Sequence, residues 1–520
     1  MSQGDGQAGF PSLNATKPYW LKEPSPILLS HRTTPELPAT ADVVVVGSGI
    51  TGAFASYFLK NSWAKDERVV MLEAREACSG ATGRNGGHCQ PQVYASVPAV
   101  AEFELQTFRF LRDLVKDNAI PCDWVSLTGV HAFLTQDIFD LAVMAVEDLE
   151  KHHPSLAEQV EVVFPSPGAV LSPAQKENLA ALRVPSVKGA IVQKSAASLW
   201  PYKLVTWVLE GLLESFAGKG FNLQTNTPVT ALHKMESGSE YPWLLKTHRG
   251  SIAAKKVLLA TNGYTSNLLP EFRDLIVPVR GQVSALLPPS PPGKTMGQKR
   301  SISEDPVKLQ HSYGIVANNP TGGSRDDYLV QRPLPGGELI FGGGRSQARG
   351  LAIGEWRDDK IEESVARFLR GNLSPPLDLQ PQTEEEWLPG LDDEEAGESG
   401  NAVEREELSA SFEWTGVMGF SRDHHAWVGH VPENLGGGGR DGGLYICAGY
   451  SGHGMPTAAL SARAVVEQMG GAVEGFGVTL PKELVLSGDR VRRTREEVDT
   501  IQQQGEKGWA AVFPELLERV

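Results

Sequence analysis

Three glycine-rich stretches hold the residues of this chain best suited to chemistry. The first, "GSGITG", sets Gly47, Gly49 and Gly52 in the G-x-G-x-x-G register. Gly47 suits a tight turn, Gly49 the close approach of a pyrophosphate, and Gly52 the close packing of a helix on a strand. Ser48, Ile50 and Thr51 share that turn, and N–H groups at a helix N-terminus carry a partial positive charge that favours phosphate. Glu73 follows about 20 residues later, where a carboxylate accepts from ribose hydroxyls. The second stretch, "GATGRNGGHCQP" from Gly80 to Pro91, surrounds Arg84, Asn85 and His88 with Gly83, Gly86 and Gly87. Glycine costs about 0.5–1 kcal/mol relative to alanine inside regular structure, so such a cluster points to special backbone angles or to close approach to something bulky. The third, "GYSGHGMPTAAL", brings Gly452, His453, Gly454 and Met455 to another glycine turn.

Regular elements must hold these turns in place. "ADVVVV" reads as a strand buried on both faces, Ile50 to Leu59 as a helix, and "RVVMLEA", Arg68 to Ala74, as a second strand. Together they make one βαβ unit, which requires a parallel sheet and a right-handed crossover. A strand from Leu444 to Ala448 and a helix from about Pro456 to Met469 frame the third turn. In between, "EFELQTFRFLRDLVKDN" and "IFDLAVMAVEDLEKHH" carry apolar residues at helical spacing. "FNLQTNTPVTALHKM", "WLLKTHRGSIAAKKVLLATNGY" and "DDYLVQRPLPGGELIFGGG" read as strands, the last turning at "PGG". The first forty residues, rich in Pro, Ser and Thr, read as an arm with little secondary structure. Leu391 to Glu407 is acidic and low in complexity and reads as a solvated insertion; the last forty residues read as a surface extension.

At 520 residues the chain exceeds what one core serves, so two or more domains are expected, not necessarily contiguous. With 41% hydrophobic and 21% charged residues the composition is that of a globular protein, and the net charge of −15 argues against nucleic acid or an anionic membrane as main partner. Small-molecule chemistry is the expectation that remains. Cys78, Cys89, Cys122 and Cys447 lack CxxC spacing, so neither a metal site nor a disulfide scaffold is indicated and a reducing compartment fits. A secretion signal, a run of 18 apolar residues and a Ser-Lys-Leu ending are all missing from the sequence, which makes the cytoplasm the expected location.

Taken in order, "VVVVGSGITG", "LEAREACSGATGRNGGH", "VLLATNGYTSNLLP", "VPVRGQV", "WTGVMGFSRDHHAWVG" and "AGYSGHGMPTAA" resemble the FAD-dependent amine and amino-acid oxidase family that includes D-amino-acid oxidase, sarcosine oxidase and glycine oxidase. The versions "GRNGG" and "GYSGHG" are most similar to its gamma-glutamylputrescine oxidoreductase branch. The resemblance runs from residue 40 to residue 475 and implies α/β plus α+β architecture. Residues 39–100, 186–285 and 415–475 would form a glutathione-reductase-type FAD-binding Rossmann domain. Residues 101–185 and 286–414 would form a substrate domain on a large mixed or antiparallel sheet, with 1–38 and 476–520 as arm and extension.

By the same resemblance Glu73, with Ala74 and Arg75 beside it, holds the adenosine ribose. Val229 offers its backbone to adenine, Thr261, Asn262 and Gly263 close over the dinucleotide, and Thr82 to His88 run along it towards the flavin, with Arg84 neutralising phosphate or flavin charge. FAD, which has an adenosine end and an isoalloxazine end, suits two separated glycine turns better than NAD does. Reduced flavin carries negative charge near N1 and the C2 carbonyl, which the N–H groups of Gly454, Met455 and Thr457 would stabilise. His453 is a further donor there, or a structural histidine. The monomeric sarcosine oxidase branch attaches its flavin to a cysteine, but "WTGVMGFSRDHHAW" contains none, so noncovalent FAD is expected. His88 is the remaining candidate for a covalent link, and Cys447 is expected to pack.

The implied reaction removes hydride from the carbon next to an amine nitrogen, delivers it to flavin N5 and leaves an imine for water to hydrolyse, with O2 then reduced to H2O2. Pro456 and Ile340 stand where that branch has lysines for substrate carboxylate and for oxygen. Arg280, Arg332 and Arg345 are the alternative cations, and Trp414 and Tyr450 are candidate walls for an alkyl amine. His88, His453 and Arg345 are the catalytic candidates. Three alternatives stay open: a flavin dehydrogenase of the same fold with another acceptor, a NAD-dependent dehydrogenase, and a noncatalytic dinucleotide-binding protein.

Overall fold

The computed structural model describes residues 7–62, 64–165, 179–236, 238–289, 307–318, 324–374, 376–379, 407–438, 442–470 and 479–504. Two sheets organise them. In the first, the strand Thr40–Val46 runs parallel to Val69–Leu72 on one side and to Gly250–Leu259 on the other. Its valines divide between two apolar cores, Val43 and Val45 facing one and Val44 and Val46 the other. A central parallel strand is covered on both faces, which explains the uninterrupted apolar run. Phe221–Gln224 and Leu444–Ala448 extend the parallel part, Trp427–His430 adds an antiparallel edge, and the hairpin Val229–Lys234 with Trp243–Thr247 pairs onto Gly250–Leu259. The helices Ile50–Lys60 and Ala458–Gly470 follow strands of this sheet, Pro201–Phe216 leads into its strand Phe221–Gln224, and the first packs against both others.

The second sheet has nine strands, ordered Ala410–Ser421, Ile276–Leu286, Leu339–Gly343, Arg325–Gln331, His311–Ala317, Val125–Phe133, Gly189–Ser198 and His88–Cys89, with Val160–Val163 also on Gly189–Ser198. All its pairings are antiparallel except that of His311–Ala317 with Val125–Phe133. The mixed sheet matches the expected fold class. Its membership differs from the expected segments: Gly189–Ser198 and Ile276–Leu286 belong to this sheet, and position 414 falls inside the strand Ala410–Ser421. Both strands are long and apolar, a pattern that either sheet can bury.

Two peripheral segments are more integrated than their composition suggests. The N-terminal arm has one turn of 3-10 helix, Tyr19–Leu21, yet Tyr19 and Trp20 are buried. Trp20 Nε1 donates to the Asn85 carbonyl (2.6 Å), and Trp200 Nε1 donates to that of Trp20 (2.7 Å). At the other end, Val428 and Leu484–Leu486 exchange backbone hydrogen bonds, and Arg490 makes two bonds to Asp423 while lying 3.7 Å from the Trp427 ring centroid. The acidic residues 391–406 lie outside the described residues; Glu407 pairs with Arg370. Among the described residues no helix is long and apolar enough to cross a membrane.

Candidate active site

A cavity of about 410 Å³ lies where the two sheets meet. One end is built from the first βαβ unit. Gly47 turns with φ of 105°, and a Cβ on Gly52 would collide with the Gly47 carbonyl oxygen, so the helix can sit this close to the strand only with glycine there. Gly49 is the N-cap and contributes no side chain to the first turn. Glu73 accepts from Ser48 N–H (3.0 Å) and Ser48 Oγ (2.6 Å) with one oxygen and from Arg75 N–H (2.9 Å) with the other. Ala74, Arg75, Thr82, Val229, Thr261 and Asn262 also line this part. Thr82 Oγ1 accepts from Ile50 N–H (3.1 Å), which ties the second glycine stretch to the first.

The loop Gly80–His88 then carries the chain from the first sheet to the second, where His88 pairs with Ser198. Its residues divide between the cavity and the packing around it. Thr82, Arg84, Asn85, Gly86 and His88 face the cavity, whereas Gly83 and Gly87 do not. A Cβ on Gly83 would strike the Cys78 carbonyl, and one on Gly87 would meet Trp20 and the Leu199 carbonyl, so these two glycines serve packing. Gly86 makes room for the Tyr328 ring. Arg84 is also committed elsewhere: its guanidinium donates to the carbonyls of Ser79 (2.8 Å) and Thr415 (2.9 Å) and pairs with Asp358 (3.2 Å). Burial pulls it down to about 10 against the pull of Asp358. Arg75 makes two bonds to the same carboxylate, so Asp358 joins two cations of the cavity wall.

At the other end stands the third glycine turn. Gly452, His453, Gly454, Met455 and Pro456 line the cavity, and the following helix begins at Ala458, two residues later than expected. Asn262 Oδ1 accepts from Gly449 N–H (3.0 Å), so Asn262 braces this turn. Gly263 packs behind, against the Met418 carbonyl. Tyr450 lines the cavity with its hydroxyl 2.8 Å from Thr51 Oγ1 and 3.0 Å from Cys447 Sγ. Cys447 is buried, and burial pushes its thiol up to about 12, as expected for a packing cysteine.

Residues 42–468 match the family described as DAO, FAD dependent oxidoreductase. The chain belongs to that family. It is 23% identical over 451 residues to gamma-glutamylputrescine oxidoreductase of Escherichia coli strain K12, covering 84% of this chain and 85% of that protein. It is 30% identical over 253 residues to the tRNA 5-methylaminomethyl-2-thiouridine biosynthesis bifunctional protein MnmC of Idiomarina loihiensis, covering 47% of this chain and only 36% of that longer protein. In fold it is similar to glycine oxidase from Geobacillus kaustophilus, with a TM-score of 0.57 at 18% identity over 83% of this chain and 95% of that one. The cavity suits the family's cofactor: a glycine turn and a carboxylate at one end, a second glycine turn at the other, and continuous space between them.

Several expected substrate contacts are corrected. Trp414 is fully buried and does not line the cavity; its Nε1 donates to the Arg84 carbonyl (2.7 Å) and so positions that loop. Arg280 pairs with Glu362 (3.0 Å) outside the cavity. Arg332 is buried over Trp20 and Trp200 and pairs with Asp123. Ile340 is buried in the sheet core. Of the three arginines, Arg345 alone lines the cavity, over the Phe420 ring (4.9 Å to its centroid) and 3.9 Å from Asp326.

Beyond the third glycine turn the cavity is lined by His88, one of the catalytic candidates of the sequence, and by residues that sequence reasoning passed over. His88 Nε2 lies 2.9 Å from Ser312 Oγ, and its ring stacks at 28° on Tyr328. Tyr94 Oη lies 2.6 Å from His131 Nδ1, with Gln90 and Gln193 amides at His131 Nε2 (3.0 and 3.3 Å). Burial, with neighbouring histidines, holds His88 down at about 3 and His131 at about 4, so both rings are neutral at physiological pH. Phe133, Ile138 and Ala142 add an apolar wall. Gln90 lies within the second glycine stretch and Tyr94 shortly after it, which was a signal open to sequence reading; His131, on an unremarkable strand, left none.

Proposed function

We propose that this chain oxidises the C–N bond of an amine or amino-acid derivative to an imine, with noncovalent FAD as hydride acceptor and O2 as the final oxidant. The observation that carries this reading is one continuous cavity that begins at Gly47–Thr51 and Glu73, passes Gly452–Met455, and ends among His88, Tyr94, His131, Tyr328 and Arg345. Bound there, FAD supplies a two-electron acceptor for the carbon next to nitrogen. Glu73 and the Gly47–Thr51 turn would hold its adenosine and pyrophosphate, and the amides of Gly454 and Met455 would face the ring. The chain's own contribution to the reaction is orientation and exclusion of water, because amine oxidation needs no protein nucleophile. The burial that keeps His88 and His131 neutral also disfavours an ammonium beside them, and so favours the uncharged amine, the form that can lose hydride. None of the cysteines lines the cavity, which supports noncovalent attachment.

A second reading keeps the fold and changes the oxidant. No lysine lines the cavity among the described residues, and Ile340 occupies the position expected for an oxygen-activating lysine, which favours a dehydrogenase that reduces another acceptor. Purified yellow protein, mixed anaerobically with a panel of amines and amino acids, should lose its flavin absorbance with at least one of them; bleaching by none overturns the proposal. Peroxide formed in stoichiometry with imine identifies the oxidase, and turnover only with an added dye identifies the dehydrogenase. Colour that stays with acid-precipitated protein rules out noncovalent FAD.

A further inference from the structure

The orientation of one hydrogen-bond chain at the substrate end is fixed by the backbone. Val93 N–H donates to Gln193 Oε1 (3.0 Å), which leaves the Gln193 amide nitrogen, a donor only, facing His131 Nε2 at 3.3 Å. His131 Nε2 is therefore the acceptor of the ring. In a neutral imidazole the proton then sits on Nδ1, which donates to Tyr94 Oη at 2.6 Å. The held hydroxyl has its own proton left over, and among the described residues no protein acceptor takes it. The arrangement is built into the sheet. A Cβ on Gly129 would strike the Gln90 carboxamide, and one on Gly314 would come within 2.9 Å of the His131 ring, so glycines opposite these side chains make the space they fill.

Resting on the amine-oxidase reading above, we infer that Tyr94 is a specificity-determining residue: its hydroxyl donates into the cavity to an oxygen acceptor on the substrate, with His131 and Gln193 as positioning residues that fix the proton's direction. Its partner is not the reacting nitrogen. Oxidation moves the nitrogen lone pair into the forming C=N bond, and a donor clamped on that lone pair would hold it back. The acceptor is instead a carboxylate or carbonyl oxygen elsewhere on the substrate, and Arg345 in the same cavity adds a cation that suits the same group. The neutral His131 supports the chain, because an imidazolium would donate from both nitrogens and clash with the Gln193 amide.

Two measurements test this on the FAD-loaded protein. Long-range nitrogen–proton NMR of histidine-labelled protein, with His131 assigned by its loss in His131→Asn, should show the Nδ1–H tautomer; an Nε2–H tautomer or an imidazolium at pH 7 overturns the inference. Aminoalkanoates and alkylamines of equal chain length are then compared as substrates. Wild type should prefer the aminoalkanoates, and Tyr94→Phe should lower that preference roughly 10- to 100-fold, the size of a lost hydrogen bond to a charged group. His131→Asn, which keeps an N–H near the place of Nδ1, should retain more of the preference than His131→Leu. A wild type that prefers alkylamines, or a Tyr94→Phe that weakens both series equally, overturns the assignment. If neither series bleaches the flavin, the amine-oxidase reading fails, and the tautomer still decides whether the donor chain exists.

Discussion

At one end of the cavity, the Gly47–Thr51 turn and Glu73 come from a single βαβ unit and present mainly backbone groups and one carboxylate. At the other, His88, Tyr94, His131, Tyr328 and Arg345 come from separate parts of the second sheet and the loops beside it, and present side chains. Backbone recognition tolerates almost no change, because the chain itself would have to move. Side-chain recognition is adjustable, since each group stands over a glycine or a neighbour that can be exchanged. A family with one cofactor and many substrates can keep the first end and rebuild the second.

The contrast is broken most sharply by adding volume at matched glycines. Gly52→Val should yield protein without flavin or no soluble protein, read from the ratio of flavin to protein absorbance, because the new side chain collides with the Gly47 carbonyl. Gly314→Ala should keep its flavin and lose substrate affinity, because the His131 ring can shift. Equal loss of flavin in both would erase the distinction. Next in size is Asp358→Asn. This carboxylate is 1% exposed and holds both Arg75 and Arg84, so its loss strands two buried cations and should cost about 3–5 kcal/mol in urea unfolding.

Acid should sharpen the comparison more gently. His88 and His131 titrate at about 3 and about 4 in the folded protein, below the ordinary histidine value near 6.5 that the unfolded chain keeps. The unfolded chain then binds more protons below pH 6.5, so the stability these groups contribute is complete above that pH and declines as pH falls towards 4. Each histidine contributes a slope of at most about 1.4 kcal/mol per pH unit, and His88→Gln or His131→Gln should flatten the fall in melting temperature between pH 7 and 5. Smallest is Thr457→Val behind the third glycine turn. It removes the bond from Thr457 Oγ1 to the His453 carbonyl (2.7 Å) and should cost about 1 kcal/mol by the same unfolding measurement.

What could be read from the sequence follows the same division. Gly47, Gly49, Gly52 and Glu73 have local reasons for their identity, each satisfied within one βαβ unit, and their spacing is visible in the chain. So are the strand and turn that carry Gly452 and Gly454. The roles of Trp414 and Arg280 depend on partners far away, Arg84 for one and Glu362 for the other, and no local pattern reports such a partner. Asp358 is the clearest loss. It stands in an irregular segment with no motif, yet it joins Arg75 and Arg84, which the sequence marked only as contacts of the dinucleotide. Tyr94 stands in a turn just past the second glycine stretch, where its position was the one signal; His131 escaped because period-two alternation in a strand tells which face a side chain takes, not whether that face lines a core or a cavity.

The N-terminal arm carries a consequence for the order of assembly. Ala8 N–H donates to Ser266 Oγ, Thr16 N–H to the Asp358 carbonyl, and Thr16 Oγ1 meets Thr415 Oγ1, pairs separated by 258, 342 and 399 residues. A ribosome adding about 5–20 residues per second needs roughly 20–80 s to reach the last of these partners. Throughout that interval Tyr19 and Trp20, buried in the finished protein, have no completed core to enter. The arm is therefore made before its berth exists, and closure of the molecule waits on synthesis of the strand Ala410–Ser421.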